Sequence, residues 1–173
     1  MQIRDLRFEI SIKECSIMKL LNDNIFNNVE LPNYNEIDSL KTVAFKISDK
    51  TDINYQSLVS GLMSSEVEGD TAVGAGLVIT YAFSSKMDKP ELFAANFSKE
   101  IGWDYPSGQN ISTIIAIVLP RGYENTEFVQ EIRESVRYKF AKGLFEGNTV
   151  DKWSNPNEIT ELVSSFVSEP DIA

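Results

Sequence analysis

From Ile111 to Leu119 the chain is an apolar run dense in β-branched residues, closed by Pro120. A strand with one wet face alternates polar and apolar residues, and this run does not. It reads as a central strand buried on both faces. That constrains the fold strongly, because a sheet with such a strand must be covered on both sides. The expected architecture is α/β: a three-layer α/β/α sandwich with a mixed β-sheet.

The remaining pattern supplies the layers. Ile37, Leu40, Val43, Ala44 and Ile47 follow helix spacing behind Asn35, a helix-starting residue. Tyr55, Leu58, Val59, Leu62 and Met63 repeat it behind Asn54. Phe128, Ile132, Val136, Phe140 and Leu144 mark one apolar stripe of a longer helix that Gly147 is placed to close. Asn155-Pro156 with Glu158 starts a last helix, with Ile159, Leu162, Val163 and Phe166 on its inner face. Strands are expected at Ile25–Phe26 with Val29–Leu31, stopped by Pro32, and at Leu92–Phe97 after Pro90. Ile101 to Gly108 reads as a turn. Leu6, Phe8, Ile10 and Ile12 alternate with polar residues, so residues 1–16 form an N-terminal extension that adds an edge strand.

Composition removes several functions. The net charge of −10 repels phosphate backbones and anionic lipid, so no direct nucleic-acid partner is expected. No apolar run is long enough for membrane insertion, and the start lacks a secretory pattern. With Cys15 the only cysteine, no intramolecular disulfide forms, and a cytoplasmic setting is expected. Cys15 reads as an inert thiol. The chain contains no histidine, which excludes Ser-His-Asp and Cys-His catalysis and Cys/His zinc sites. No cofactor is expected.

The stretch from Ser65 to Phe83 carries the other strong signal. It begins acidic with Glu66, Glu68 and Asp70, crosses Gly74-x-Gly76, and enters Leu77-Val78-Ile79, a short β-rich segment. Gly-x-Gly here precedes a strand and does not open a helix. It is therefore a tight turn, and no nucleotide fingerprint or P-loop applies. Tyr81 stands where the strand is expected to exit, a place from which side chains can be presented. The three acids read either as oxygen ligands for a metal or, more simply, as a solvated edge, and no metal site is assigned. Trp103-Asp104-Tyr105 is either an aromatic platform or a hairpin end with its rings packed down.

In this stretch the chain resembles the enzyme IIA components of the mannitol/fructose class of the bacterial phosphotransferase system, including the nitrogen-regulatory branch. Glu66, Gly69, Thr71, Gly74, Gly76, Ile79 and Ala82 match that family's motif, and the order of elements fits from residue 17 to 168. The resemblance implies an enzyme IIA-like domain with the three-layer fold. It also implies where the chain departs. The family's phospho-acceptor histidine, in Pro-His, falls at Tyr81, after Thr80. The arginines flanking it fall at Ser65 and Phe83, the serine before Thr71 at Asp70, and a second histidine near Glu127. The implied site is thus Tyr81, lined by Ser65, Glu66, Asp70, Thr71, Gly74, Gly76, Thr80, Phe83 and Glu127.

A phosphoryl group carries about −2 charges and needs cations beside it. Here two motif arginines are replaced, Asp70 adds negative charge, and the remaining cations, Lys86 and Arg121, lie outside the motif. A phosphotyrosine is moreover a poor donor for onward transfer. The expected role is a degenerate regulatory or protein-binding module, with other phosphotransferase-system proteins or a transcriptional regulator as partners. The alternatives are an active phosphoryl carrier in sugar uptake using another residue, or small-ligand binding on the same scaffold beside Tyr81.

Overall fold

A computed structural model describes residues 22–69, 71–74, 76–103, 109–122 and 127–141. After a 3-10 turn at Asn22–Asn24 come β1 (Ile25–Val29), α1 (Glu36–Thr51), α2 (Tyr55–Glu68), β2 (Ala72–Gly74), β3 (Leu77–Ser84), β4 (Glu91–Trp103), β5 (Gln109–Pro120) and α3 (Glu127–Ala141). The five strands form one sheet in the order β1-β4-β5-β3-β2. β1 runs parallel to β4 and β3 parallel to β5, whereas β4–β5 and β2–β3 are antiparallel, so the sheet is mixed. β5 is its centre, and every residue from Ile111 to Leu119 is buried. The expected edge strand of residues 1–16 and the expected last helix lie outside the described residues.

The period-2 geometry of β5 divides its side chains between two cores. Ile115, Ile117 and Leu119 pack with Ile79 and Tyr81 of β3 and with Val129, Ile132 and Val136 of α3. Ile114, Ala116 and Val118 pack on the other face with Val78 and Ala82, beneath Leu40, Val43 and Ile47 of α1 and Leu58 and Leu62 of α2. Among the described residues one helix covers one face and two cover the other, which gives three layers.

Both expected helix starts form. Asn35 Oδ1 accepts from the Asp38 amide at 2.7 Å, and Asn54 Oδ1 accepts from the Ser57 amide at 3.0 Å. Each satisfies one orphan donor of a first turn. Ile37 is not part of the inner stripe of α1; it is 54% exposed, because the buried row begins at Ser39 and Leu40. At Gly61 α2 comes close to the sheet: a Cβ there would stand 2.6 Å from the Ala82 Cβ. The missing side chain is what lets α2 lie down on β3.

Two sequence expectations are corrected by the pairing. β3 does not exit at Tyr81, because it stays in parallel register with β5 as far as Ser84 opposite Pro120. Ile101 to Trp103 is not a turn but the end of β4, paired with Ile111 to Gln109 after a register break beyond Asn96. Of the two readings of Trp103, the packed-down one holds: it is 1% exposed and packed into the α1/α2 core. Asp104 and Tyr105 lie outside the described residues.

Candidate functional site

Tyr81 lies on the α3 side of β3, since it alternates with Thr80 and Ala82, and is 6% exposed. Its hydroxyl donates to the Glu68 carboxylate at the C-terminal end of α2, with Oε1 and Oε2 each 2.7 Å away. Two residues on along the same strand face, Phe83 meets its ring edge-on, with centroids 5.7 Å apart at 84°. The body of α2 packs on the opposite face of β3, through Leu58 and Leu62 against Val78 and Ala82, so it is the last residue of that helix, Glu68, that reaches Tyr81.

Under the ring lies a residue that the sequence reading missed. Arg133 of α3 is fully buried, and its guanidinium carbon stands 5.7 Å from the Tyr81 ring centroid. Nε and Nη2 donate to the Ile79 carbonyl at 3.0 and 2.9 Å, and Nη2 also donates to Ser65 Oγ at 3.1 Å. Nη1 is buried with no hydrogen-bond partner. Burial lowers the guanidinium's pKa, and Tyr81, Glu68 and Glu66 pull it back up. It remains a cation, as arginine does in proteins. The signal was present: Arg133 follows Val129 by four and precedes Val136 by three, which turns it inward on a 3.6-residue helix. It was passed over for the stripe through Ile132.

Glu66 is half-buried in the same last turn of α2. Thr71 Oγ1 donates to its Oε1 at 2.7 Å, while Oε2 is buried without a partner. Desolvation pushes its pKa up from 4.5 to about 7; the Thr71 bond resists that shift, and the Glu36 carboxylate adds to it. The Trp103 indole N–H lies close enough to hold the value down, yet stands outside hydrogen-bond geometry. A carboxyl with a raised folded pKa binds its proton more tightly folded than unfolded. The contribution of this carboxyl to stability is therefore highest below pH 4.5 and declines as pH rises toward 7. Glu66→Gln is expected to remove this slope. It should match the parent near pH 4 and exceed it by about 1–2 kcal/mol near pH 8, after discounting for partial exposure. Urea unfolding of both chains at the two pH values checks it, and parallel pH profiles would refute it.

The structure thus brings together Ser65, Glu66, Thr71, Tyr81 and Phe83 of the expected site. It adds Glu68 and Arg133. The acidic trio is not a uniformly solvated edge, because Glu66 is half-buried on Thr71; Asp70 lies outside the described residues. Thr80 faces the opposite core, buried with Oγ1 unpartnered. Gly74 and Gly76 have φ of 101° and 73° and form the turn between β2 and β3. There the Gly76 carbonyl accepts from the Ser112 and Thr113 amides, which ties that turn to β5. Glu127 opens α3 and is exposed. Of the two cations noted in the sequence, Lys86 Nζ donates to the Asp52 carbonyl at 2.9 Å, and Arg121 lines a cleft with Phe83.

No protein-family model matches the sequence, and no curated protein matches it. Solved structures do share its fold. The nitrogen regulatory protein IIA-Ntr from Neisseria meningitidis superposes with a TM-score of 0.60 at 15% identity, covering 83% of this chain and 95% of that one. IIA mannitol from Escherichia coli gives 0.56 at 12% identity, covering 84% and 99%. The Escherichia coli complex of mannitol enzyme IIA with phosphorylated enzyme IIB gives 0.56 at 11%, covering 86% and 99%. The chain has the fold of phosphotransferase-system IIA domains. Among the described residues no helix is long and apolar enough to cross a membrane.

Proposed function

We propose that this chain is a phosphotransferase-system IIA-like domain that does not relay phosphate and acts as a cytoplasmic regulatory, protein-binding module. One observation carries the reading. The side chain at the acceptor position, Tyr81, already donates to the Glu68 carboxylate. An incoming phosphoryl group would take that hydroxyl's proton position and face a carboxylate at contact distance, where like charges repel most. The guanidinium beneath is engaged with Ile79 and Ser65, and only Nη1 is unbound. Phe83 fills an arginine position with an apolar ring.

The shared fold supports partners from the same system. The mannitol IIA of Escherichia coli is seen with a phosphorylated IIB protein. A domain of this shape keeps the capacity to dock such proteins, or a regulator carrying an equivalent surface, without chemistry.

The same Tyr81, Glu68 and Arg133 would also be the minimum set for a phenolic acceptor: nucleophile, base and cation. The test separates the two readings. With phosphoenolpyruvate, enzyme I and the histidine-containing phosphocarrier protein, the chain is expected to take up no label, while a histidine-bearing IIA labels fully. Label mapping to Tyr81 would overturn the proposal in favour of an active carrier.

A further inference from the structure

A second place in the molecule has the character of a binding site and does not include Tyr81. At the carboxyl ends of the parallel strands β3 and β5 is a cleft of about 420 Å³, lined by Asn54, Gln56, Ser57, Ser60, Gly61, Phe83 and Arg121. The two strand ends are held together by the Arg121 amide donating to the Ser84 carbonyl at 3.2 Å. Crevices beyond the carboxyl ends of parallel strands are where open α/β sheets hold ligands, and this volume falls in the range of small-molecule sites.

Its lining is unlike the rest of the surface. The chain carries a net charge of −10, yet no acidic side chain lines the cleft among the described residues. The Arg121 guanidinium is exposed and has no hydrogen-bond or ion-pair partner among the described residues. The hydroxyls and amide of Ser57, Ser60 and Gln56 line the α2 side. Gly61 lines the cleft with its backbone, because its Cβ position is taken up by the approach of α2 to Ala82. Phe83, half-buried against Tyr81, supplies an apolar ring. The helix terminus is not what attracts a ligand here, since Asn54 Oδ1 already accepts from the Ser57 amide.

We infer that this cleft binds a small organic anion, a phosphate monoester or carboxylate joined to a flat apolar group. The anionic end pairs with Arg121, where a planar guanidinium makes two parallel bonds. The flat group lies on Phe83, and Gln56, Ser57 and Ser60 bond the polar remainder. Replacing the motif arginine by Phe83 is then a change of ligand chemistry at this end of the sheet. The inference does not depend on whether Tyr81 accepts phosphate.

The test is titration of the ¹⁵N-labelled full chain with phenyl phosphate, benzoate, inorganic phosphate and benzyl alcohol, followed by amide NMR. Phenyl phosphate or benzoate is expected to give saturable shifts at Ser57, Gly61 and Phe83 with Kd below about 1 mM. Whichever of the two binds tighter identifies the anionic group. Inorganic phosphate lacks the ring and benzyl alcohol lacks the charge, so each should bind at least about tenfold more weakly. Arg121→Met should weaken binding about tenfold, and Ser60→Phe, which fills the cleft from an exposed helix position, should abolish it. Should Ser60→Phe lose the native spectrum, Gln56→Ala on the exposed face replaces it, with a smaller loss expected. No saturable shift with either aromatic anion at about 10 mM, equal binding of inorganic phosphate, or unchanged affinity in Arg121→Met would each overturn the inference.

Discussion

Arg133→Met is expected to lower the unfolding free energy by about 3–5 kcal/mol, the largest single-site loss among the residues around Tyr81. The guanidinium is fully buried and holds the Ile79 carbonyl and Ser65 Oγ together beneath the Tyr81 ring. Methionine fills much of its volume but donates nothing. Any Ile79 lone pair and Ser65 hydroxyl left without a partner in the core cost about 1–3 kcal/mol each. The Glu66 and Glu68 carboxylates, which the cation attracts, lose that compensation. Arg133→Lys should recover little, because one ammonium on a flexible stem cannot reproduce a planar fork with three bonds. Ser65→Ala should cost only about 1 kcal/mol, since Nη2 keeps the Ile79 carbonyl. Urea denaturation of the variants checks the order. A loss below about 1 kcal/mol for Arg133→Met would mean that the guanidinium is an incidental passenger in the core.

The second large effect concerns restoring phosphate acceptance. Tyr81→His alone should take up almost no label. The new imidazole would sit against Glu68, with Phe83 beside it and Arg133 still engaged below. Rebuilding the family motif by Ser65→Arg, Phe83→Arg and Asp70→Ser is not enough in this core. Ser65 is 1% exposed, with its Oγ 3.1 Å from Arg133 Nη2, so a second guanidinium there would meet the first. Arg133→Leu must accompany them. The five-substitution variant is then expected to accept phosphate from the phosphocarrier protein at least about 10²-fold faster than Tyr81→His, the scale on which positioned charge donors act. Phosphotransfer rates of both, each first shown to be folded, decide it. Fast labelling of Tyr81→His alone, or equal rates, would show that the lost arginines do not limit this site.

Much of the architecture was legible locally. The β-branched run at Ile111–Leu119 implied a strand covered on both faces, and Asn35 and Asn54 announced two helices, because these signals depend on residues near in sequence. Burial of a whole β-branched run leaves no face for water, and a side chain three residues ahead of an amide can cap it with no help from elsewhere. Gly74-x-Gly76 likewise read correctly as a turn, since positive φ is a local demand.

What failed depended on partners distant in the chain. The length of β3 was set by pairing with β5, which holds it extended past Tyr81. Ile101 to Trp103 looked like a turn until β5 supplied its hydrogen-bond partners. The candidate site shows the same division. Sequence alone determined what the chain lacks, a histidine and two motif arginines, because absence needs no coordinates. Only the tertiary structure could bring Arg133 under Tyr81 and set Glu68 on its hydroxyl. Those contacts join α3 to β3 across 54 residues of chain, α3 to α2 across 68, and β3 to the end of α2 across 13. A buried charge takes its partners from whatever packs against it, and spacing along the sequence does not record that.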